Sequence, residues 1–187
     1  MVEFALVLPL LLLLVMGVAE LTQAYSDGLT LGAATREGVR VAGALVNGGG
    51  ALGCSAGQSP SATTVDPQII ASVERVLTAS GTSLNLADVS EIRVYKATSS
   101  GAEVSGVVNQ FTYQLNGGPV VDGQQTDFVA VTNGWPACSR SNATPADSVG
   151  VTIRYTYRGR TPLRFLVPFL ASIPIRDNTV MALNATR

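Results

Sequence analysis

Histidine is absent from the 187-residue sequence, and lysine occurs once, at Lys96. Without histidine the chain lacks the usual general base, so neither a Ser-His-Asp triad nor a Cys-His nucleophile pair can form. Most zinc and haem ligand sets also use histidine. The acids of Asp122–Asp127 lack the spacing of a calcium loop and predict a turn instead. We therefore expect a protein that is not an enzyme and that holds no cofactor or metal.

Charged residues are also scarce. They make up 13% of the sequence, and the formal net charge is -1. Binding to nucleic acid depends on clustered lysine and arginine, so no nucleic-acid partner is expected. Hydrophobic residues make up 47% of the chain, a fraction that argues against a disordered protein. The length suits one membrane-anchoring element followed by one globular domain.

The sequence has only two cysteines, Cys54 and Cys138, in polar segments rich in glycine, serine and proline. They could remain free thiols, but an N-terminus of the exported type favours a disulfide between them. Such a bond closes a long loop and contributes about 4 kcal/mol through the unfolded state. We expect Trp135, close to Cys138 in sequence, to cover the disulfide, with an exposed adhesive loop as the alternative.

An unbroken apolar run, residues 4–19, lies near the start of the chain, and the first basic residue is Arg36. A secretory signal peptide needs a basic region before its apolar run, but Glu3 stands there instead. A single membrane span usually needs roughly 20 apolar residues and a basic flank that sets its orientation. Both interpretations fit poorly. A third interpretation treats the run as the start of a mature, already processed helix.

Apolar residues recur at loosely helical spacing beyond this run, up to a stop signal at Asn47–Gly50. These features predict one helix over residues 1–46, roughly 70 Å long at 1.5 Å per residue. The alternative is a weak helix that ends near Gly28. Pro9 and Gly17 weaken a helix in either case, and we expect a kink or local flexibility there. Because so long a helix extends beyond the remaining domain, its apolar part must contact lipid or the corresponding helices of neighbouring subunits.

The remainder, residues 47–187, is predicted to form a β-rich globular head. Asp66 can cap the start of a helix that runs to Gly81, and Pro67 suits its first turn. Alternating apolar and polar residues then predict an antiparallel sheet packed on the emerging helix, so the predicted fold class is α+β. The predicted strands cover residues 88–98, 107–115, 126–132, 147–159 and 176–187, with an ambiguous apolar segment at 163–175.

Alternation also predicts which side chains share a face of the sheet. In the first strand, Val89 is expected on the face opposite that of Ile92. The pattern is strongest in strand 147–159, where one face carries Val151, Ile153, Tyr155 and Tyr157.

The N-terminal motifs resemble a known family. The segments VEFALVLPLLLLLVMGVAEL (Val2–Leu21) and AATREGVRVA (Ala33–Ala42) look like the TadE/TadG-type pilins of the tight-adherence (Tad) secretion system. In that family a VEFAL-x-LP sequence and a polyleucine run precede a glutamate, and an AAREGAR-x-A segment follows on the same helix. The resemblance covers about the first 45 residues and, more weakly, the strand Val151–Arg158. The matching positions are Glu3, Pro9, Glu20, Arg36, Glu37, Gly38 and Arg40.

The resemblance implies a pilin-like fold and a structural subunit that polymerises through its N-terminal helix into an extracellular Tad pilus, a type IV-like pilus used for surface adhesion. The implied partners are copies of the chain in a helical homopolymer, a prepilin peptidase, the assembly machinery, and the inner membrane that holds the subunit before assembly. The peptidase leaves glutamate at the fifth mature position, whereas Glu3 is third, so either the sequence begins two residues late or the cut differs. The alternatives are a minor or priming pilin and a monomeric membrane-anchored envelope protein with a binding head.

The pilin interpretation assigns roles to residues of the apolar run. Glu3 is expected to pair with the N-terminal amine of a neighbouring subunit and so to set the register of assembly. The alternative is a carboxylate at the membrane surface without a specific partner. The residues expected to pack in the filament core are Phe4, Leu6, Leu8, Leu10, Leu12, Leu13 and Val15.

Charged residues further along the helix are candidates for contacts between subunits, with a solvated face as the alternative. Arg36 and Arg40 lie on one helix face, and Glu37 is expected to point elsewhere. Two N-x-T sequences predict glycosylation, at Asn142 and Asn184. The candidates for intersubunit ionic contacts are Glu20, Asp27, Arg36, Glu37 and Arg40.

Overall fold

The computed structural model describes residues 2–45, 62–142, 144–162 and 171–183. The protein is α+β, as predicted, because a long N-terminal helix is followed by an antiparallel sheet. The helices are α1 (Val2–Ala44) and α2 (Ala62–Leu77). The strands are β1 (Val89–Ala97), β2 (Glu103–Tyr113), β3 (Val120–Val121), β4 (Gln124–Gln125), β5 (Phe128–Asn133), β6 (Ser148–Arg158) and β7 (Ser172–Ala182).

Five strands form one sheet in the order β5-β2-β1-β6-β7, and every neighbouring pair is antiparallel. β3 and β4 form a separate hairpin. Its turn is Asp122–Gly123, where the two φ angles are 51° and 80°. Positive φ at both central residues is what a two-residue hairpin turn needs, and it explains the Asp-Gly pair. The segment predicted to be a turn therefore forms one.

β1 departs from strict alternation near its start. Its register against β6 shifts between Val89 and Glu91, with Val89 opposite Tyr155 and Ile92 opposite Ile153. This β-bulge inserts one extra residue and turns Val89 to the same buried side as Ile92. The prediction that Val89 and Ile92 lie on different faces of the sheet is wrong, because strict alternation along the sequence takes no account of an inserted residue.

The core lies between one face of the sheet and the two helices. α1 packs on α2 and on both β6 and β7. β7 begins at Ser172, inside the ambiguous apolar segment, of which residues 163–170 lie outside the described residues. The four β6 residues predicted to share a face are all buried in this core: Val151, Ile153, Tyr155 and Tyr157.

α1 is continuous through Pro9 and Gly28, so the predicted long helix is confirmed and the early end near Gly28 is wrong. Its second half, from Glu20 onward, belongs to the core of the head. The buried positions recur every three or four residues, the spacing of one helix face. The buried apolar residues of this half are Ala24, Leu31, Ala34, Val39 and Ala42.

α2 begins before its predicted cap. Asp66 and Pro67 lie inside the helix, which starts at Ala62 and ends at Leu77. Asp66 was expected to cap the helix, but its carboxylate instead pairs with Arg140 at 2.6 Å. The capping prediction is wrong, because the Asp66 carboxylate lies inside the helix and forms a long-range ion pair instead. The helix buries Ile69, Ile70, Val73 and Leu77 in the core, at the spacing of one helix face.

Gly38→Ala is expected to destabilise the chain by about 1–3 kcal/mol, because overpacking a close contact forces neighbours to shift. A Cβ at Gly38 would lie 2.7 Å from Cγ2 of Val73 on α2. Gly28→Ala is the matched control, since a Cβ there meets nothing within 4 Å. That variant should gain about 1 kcal/mol of helix propensity. Denaturation of the detergent-solubilised full chain measures both, and equal changes would contradict close packing of α1 on α2.

Candidate functional site

The first half of α1 extends beyond the head with its apolar side chains exposed. Among the described large hydrophobic residues from Phe4 to Val18, exposure ranges from 37% at Met16 to 70% at Phe4. We name residues 4–18 the apolar arm. By length and composition α1 could cross a membrane, with a mean hydropathy of 1.9 in its most apolar window. Residues 2–19 extend about 27 Å as a helix, close to the ~30 Å of bilayer hydrocarbon.

The apolar arm carries the residues predicted for filament-core packing. The side chains of Glu3 and Leu6 lie outside the described part of the chain. At Gly17 a Cβ would meet nothing within 4 Å. A single chain does not test contacts between subunits, so core packing, the Glu3 pairing and flexibility at Pro9 and Gly17 stay predictions. The predicted core residues with exposed side chains are Phe4, Leu8, Leu10, Leu12, Leu13 and Val15.

The helix enters the head at Glu20, whose side chain is buried with 1% exposure. Its Oε1 accepts hydrogen bonds from the Tyr157 hydroxyl and the Arg160 backbone N–H, both at 2.7 Å. Its Oε2 accepts from the Thr161 backbone N–H at 3.0 Å. Burial of a carboxylate is costly unless donors replace water, and three donors do so here. Glu20 therefore fixes α1 to the end of β6 and the loop that follows.

Asp27 makes a second attachment two helical turns further along and is also 1% exposed. Its Oδ2 accepts from the Tyr155 hydroxyl at 3.1 Å, and its Oδ1 accepts from the Ser83 hydroxyl at 2.9 Å. The Arg160 guanidinium lies 3.8 Å from Oδ2 and donates to the Gln23 side chain at 3.2 Å. Two neighbouring tyrosines on the buried face of β6 thus bind two acids of α1. We name Glu20, Asp27, Tyr155, Tyr157 and Arg160 the tyrosine anchor.

A third buried polar contact joins α1 to β7. Thr35 has 0% exposure, donates to the Asp177 carboxylate and lies 3.0 Å from the Thr179 hydroxyl. Gly32 faces the same carboxylate, since a Cβ there would lie 3.7 Å from Asp177 Oδ1. The polar residues of the buried helix face are therefore paired with the sheet along its length, which fixes the rotation and axial position of α1 on the head.

The environment of the two anchor tyrosines keeps their hydroxyls protonated. Burial, followed by the nearby Asp27 carboxylate, raises the pKa of Tyr155 to about 12. Burial, followed by the hydrogen bond to Glu20, raises the pKa of Tyr157 well above its usual value. Both hydroxyls therefore remain hydrogen-bond donors to the helix across the neutral pH range.

The raised pKa values predict alkaline destabilisation. Above the usual tyrosine pKa of about 10, the unfolded chain loses both hydroxyl protons while the folded chain keeps them. The contribution of these two tyrosines to the free energy of unfolding should therefore be constant below pH ~10 and fall by about 1.4 kcal/mol per pH unit per tyrosine above it. Denaturation of the full chain in detergent at pH 8–11.5 measures this. The Tyr155→Phe, Tyr157→Phe double variant should lose that part of the slope, and an unchanged slope would contradict the anchor.

The structure places the five residues predicted for intersubunit ionic contacts in different environments. Glu20 and Asp27 are buried with partners in their own chain, which removes them from the surface that a neighbour could reach. Glu37 pairs with Arg40 at 2.6 Å, so the expectation that Glu37 points elsewhere is wrong. Arg36 is exposed. An intersubunit role stays a prediction for the exposed arginines.

A second buried polar cluster joins α2 to the segment after β5. The Arg140 side chain is 2% exposed, pairs with Asp66 at 2.6 Å and lies 4.8 Å from the centre of the Trp135 ring. Asn109 donates to the Asp66 carboxylate at 2.7 Å and to the Trp135 carbonyl at 2.9 Å. The Trp135 backbone N–H in turn donates to Asn109 Oδ1 at 2.7 Å. We name Asp66, Asn109, Trp135 and Arg140 the Arg140 cluster.

This cluster decides between the two roles considered for Trp135. The side chain is 2% exposed, so the alternative of an exposed adhesive loop at this residue is wrong. Cys138 follows in the short 3-10 helix Ala137–Ser139. Cys54 lies outside the described residues, so the Cys54–Cys138 disulfide stays a prediction.

The two predicted glycosylation sites differ in what the structure says of them. The Asn142 side chain is 1% exposed, and a buried amide leaves no room for a glycan on the folded head. The prediction for Asn142 is therefore wrong, because the N-x-T pattern carries no information on burial. Asn184 lies outside the described residues. Within the described ranges, no group of His, Cys, Asp or Glu side chains is arranged to hold a metal ion.

Sequence reasoning missed the anchoring role of Tyr155, Tyr157 and Arg160. A signal was present, because Glu20 and Asp27 fall on the same helix face as buried apolar residues. Two acids on such a face need donors from the opposing surface. The two tyrosines on the core side of β6 were the available hydroxyl donors, but their register against α1 is a tertiary property.

Comparison with known proteins adds one match. Residues 1–40 match the family model described as TadE-like protein. The matched region covers the apolar arm and most of the helix bound to the head. No curated protein and no solved structure matches the chain.

Proposed function

We propose that this chain, whose first 40 residues match the TadE-like family, is a structural subunit of a Tad-type pilus. In this proposal it polymerises through α1 into an extracellular filament used for surface adhesion. The supporting observation is the apolar arm: an exposed apolar helix half that continues without a break into a half buried in the head. The described part of the head does not bury the apolar side chains of the arm, so lipid or another protein surface has to bury them.

In this proposal the apolar arm is buried first by lipid and later by other subunits. Before assembly, lipid of the inner membrane surrounds it, which suits its length and hydropathy. In the filament, arms of other copies replace the lipid, and removal of apolar surface from water stabilises the bundle by roughly 25 cal/mol per Å². A head-to-tail contact repeated from copy to copy gives an open helical polymer.

Glu3 has a defined place in this proposal. A carboxylate near the end of an apolar arm is costly in lipid or in a dry bundle unless it is paired. We propose that it pairs with the N-terminal amine of a neighbouring subunit, so that only one axial register satisfies both charges. A buried polar group sets register in coiled coils in the same way.

The first experiment is electron microscopy and mass spectrometry of filaments sheared from cells that produce the chain. Uniform filaments composed mainly of this chain would support a major subunit, and the mass of the N-terminal peptide would locate the processing site relative to Glu3. Filaments without the chain, together with a chain retained in the inner membrane, would contradict the polymer.

Glu3→Ala tests the register role in the same preparation. We expect at least about tenfold less of this variant in sheared filaments, because the register pair is lost. Its amount in the membrane should not fall, since alanine makes the segment more apolar. Asp122→Asn is the matched control: Asp122 is an exposed acid of the head, at φ 51°, which asparagine tolerates. Equal incorporation of both variants would exclude a register role for Glu3.

Two other functions remain candidates because α1 is also long enough for a plain membrane span. A minor or priming pilin would appear in filaments at a small molar fraction of a different major subunit. A monomeric membrane-anchored envelope protein would remain in the membrane fraction and be absent from filaments. The stoichiometry measured by mass spectrometry separates the three.

The predicted disulfide belongs to the same proposal, since an extracellular head lies in an oxidising compartment. Peptide mapping of the filament without reductant should recover Cys54 and Cys138 in one linked peptide. Two separate peptides carrying free thiols would contradict the disulfide.

A further inference from the structure

The last strand, β7, forms one edge of the five-stranded sheet. It pairs with β6 along its 11 residues without a shift of register. At the two ends of this pair, the Leu183 N–H donates to the Asp147 carbonyl and the Gly159 N–H donates to the Ala171 carbonyl. Because bonding alternates along an antiparallel pair, the odd-numbered residues of β7 bond to β6. The even-numbered residues direct their N–H and C=O groups away from it.

The outward backbone groups of β7 are open beyond Pro174. Pro174 is even-numbered, so its missing N–H removes no bond to β6. Within the described ranges, the backbone groups of Arg176, Asn178 and Val180 make no hydrogen bond to any segment other than β6. The residues Arg176 and Asn178 are also exposed. An edge with a row of unpaired N–H and C=O groups is a template for another strand.

The opposite edge of the sheet, β5, is a poorer template. It has six residues, and its register against β2 shifts where Gln110 is followed by Phe111. A short strand and a β-bulge are two devices by which proteins protect a sheet edge from pairing. β7 is longer and regular, with a proline only near its start, so it is the edge that can accept a strand.

The charge beside the β7 edge favours an anionic partner. Arg176 lies directly opposite Arg154 in the register of β6 and β7, and like charges in that position repel. Arg154 has a carboxylate partner, since it lies 2.7 Å from Glu91. Arg176 is exposed, and no ion pair or side-chain hydrogen bond involves it in the described part of the chain. A carboxylate on an incoming strand could neutralise it.

A second arginine lies beside the same edge on the other face of the sheet. Gly32 and Gly43 of α1 both face side chains of β7, within 4 Å of the place where a Cβ would lie. At 3.6 residues per turn, Arg36 points about 40° from Gly32 and about 20° from Gly43. Arg36 is exposed, and it too has no ion pair among the described residues. Arg36 and Arg176 therefore flank the β7 edge from opposite faces.

We propose that the β7 edge binds an extended acidic segment of a partner protein, which adds a strand to the sheet. The backbone of that segment pairs with the outward groups of Arg176, Asn178 and Val180. Successive side chains of a strand alternate between faces, so acids one or three residues apart reach both Arg176 and Arg36. A second copy of β7 is a poorer occupant, because it brings another Arg176 to the same edge. The inference goes beyond the proposed function, since a filament subunit and an anchored monomer present the same edge.

Amide hydrogen exchange, followed by NMR of the full chain in detergent, tests the edge directly. The probe is the synthetic peptide Thr-Val-Asp-Val-Thr-Glu-Val-Thr-Val, whose two acids point to opposite faces of a strand. Without the peptide we expect fast exchange at Arg176, Asn178 and Val180, and slow exchange at Asp177 and Thr179. At a peptide concentration about ten times Kd, the three fast amides should slow about tenfold. Slow exchange of these three amides in the chain alone, or no slowing with the peptide, would overturn the proposal.

Substitutions test the two arginines and the open backbone separately. The Arg36→Gln, Arg176→Gln double variant should bind the peptide about tenfold more weakly, because two charge contacts are lost. Asn178→Pro should weaken binding at least about tenfold, because it removes an outward N–H and leaves the bonds to β6 intact, as Pro174 does. Arg75→Gln, at an exposed arginine of α2, is the matched control and should bind like the wild type.

A second peptide tests the selectivity for acids. It carries lysine at both acidic positions and should bind the wild-type chain at least about tenfold more weakly than the acidic peptide. Equal binding of the two peptides, or wild-type affinity of the arginine double variant for the acidic peptide, would overturn the acidic partner. The arginine variant changes only two exposed side chains, so its result stands even if Asn178→Pro fails to fold.

Discussion

Glu20→Ala is expected to lower the free energy of unfolding of the full chain by about 3 kcal/mol or more. The substitution removes the acceptor for the Tyr157 hydroxyl and for the backbone N–H groups of Arg160 and Thr161. Each buried donor left without a partner costs about 1–3 kcal/mol. Denaturation of the detergent-solubilised chain, followed by the fluorescence of the buried Trp135, measures the loss.

Glu20→Gln is the matched control for this prediction. Glutamine keeps one side-chain oxygen as an acceptor, so the expected loss is about 1–2 kcal/mol. A double-mutant cycle with Tyr157→Phe should give a coupling energy of about 0.5–3 kcal/mol, because the two side chains are in direct contact at 2.7 Å. If Glu20 served a neighbouring subunit instead, the isolated chain would unfold like the wild type and the coupling would be near zero.

The consequence of this anchor extends beyond the stability of the head. The same carboxylate stands where the apolar arm leaves the head, so a weakened anchor lets the arm change its angle relative to the sheet. In the proposed filament, each arm contacts other copies while its head lies on the outer surface. The same contact can repeat from copy to copy only if the angle between the arm and the sheet is the same in every copy. Glu20→Ala filaments, where they form, should therefore show a broader distribution of diameters in electron micrographs than Glu20→Gln filaments.

Asp66→Ala is expected to cost about 3–5 kcal/mol, because it leaves the buried guanidinium of Arg140 without its carboxylate. The Arg140 side chain is 2% exposed, and within the described part of the chain its Nε and Nη1 have no hydrogen-bond partner. Asp66 at 2.6 Å therefore supplies most of the compensation for the buried charge, beside the Trp135 ring and carbonyl. Thermal unfolding of the full chain in detergent measures the loss.

An exposed ion pair supplies the matched control. Arg75 on α2 lies 3.7 Å from Asp122, and their side chains are 69% and 80% exposed. Arg75→Ala should change stability by less than about 1 kcal/mol, because water and salt screen such a pair. Similar losses for Asp66→Ala and Arg75→Ala would mean that the Arg140 cluster is not a buried network. The Asp66→Ala, Arg140→Met double variant should recover part of the loss, since an apolar side chain of similar length removes the unpaired charge.

The sequence determined the elements whose signal is local. The apolar run and the glycine stop defined α1 to within a few residues, since helix length and polarity need no knowledge of the fold. Strict alternation in β6 identified the buried face of Tyr155 and Tyr157 for the same reason. The motif of the first 45 residues carried the resemblance to TadE-like proteins, because it lies within one continuous segment, and residues 1–40 match that family model.

Tertiary structure alone decided how those elements use their polar residues. The sequence alone suggests that Glu20 and Asp27 are surface charges. The position of β6 against α1 instead buries both carboxylates, where they accept hydrogen bonds from two tyrosines. Asp66 read as a helix cap, but Arg140, distant in sequence, gives it another role. A carboxylate takes whichever donors the fold brings within hydrogen-bonding distance, and that distance depends on packing between segments far apart in sequence. The same packing leaves Leu21, Tyr25 and Leu29 uncovered, which no pattern along the chain could have distinguished from a core-facing stripe.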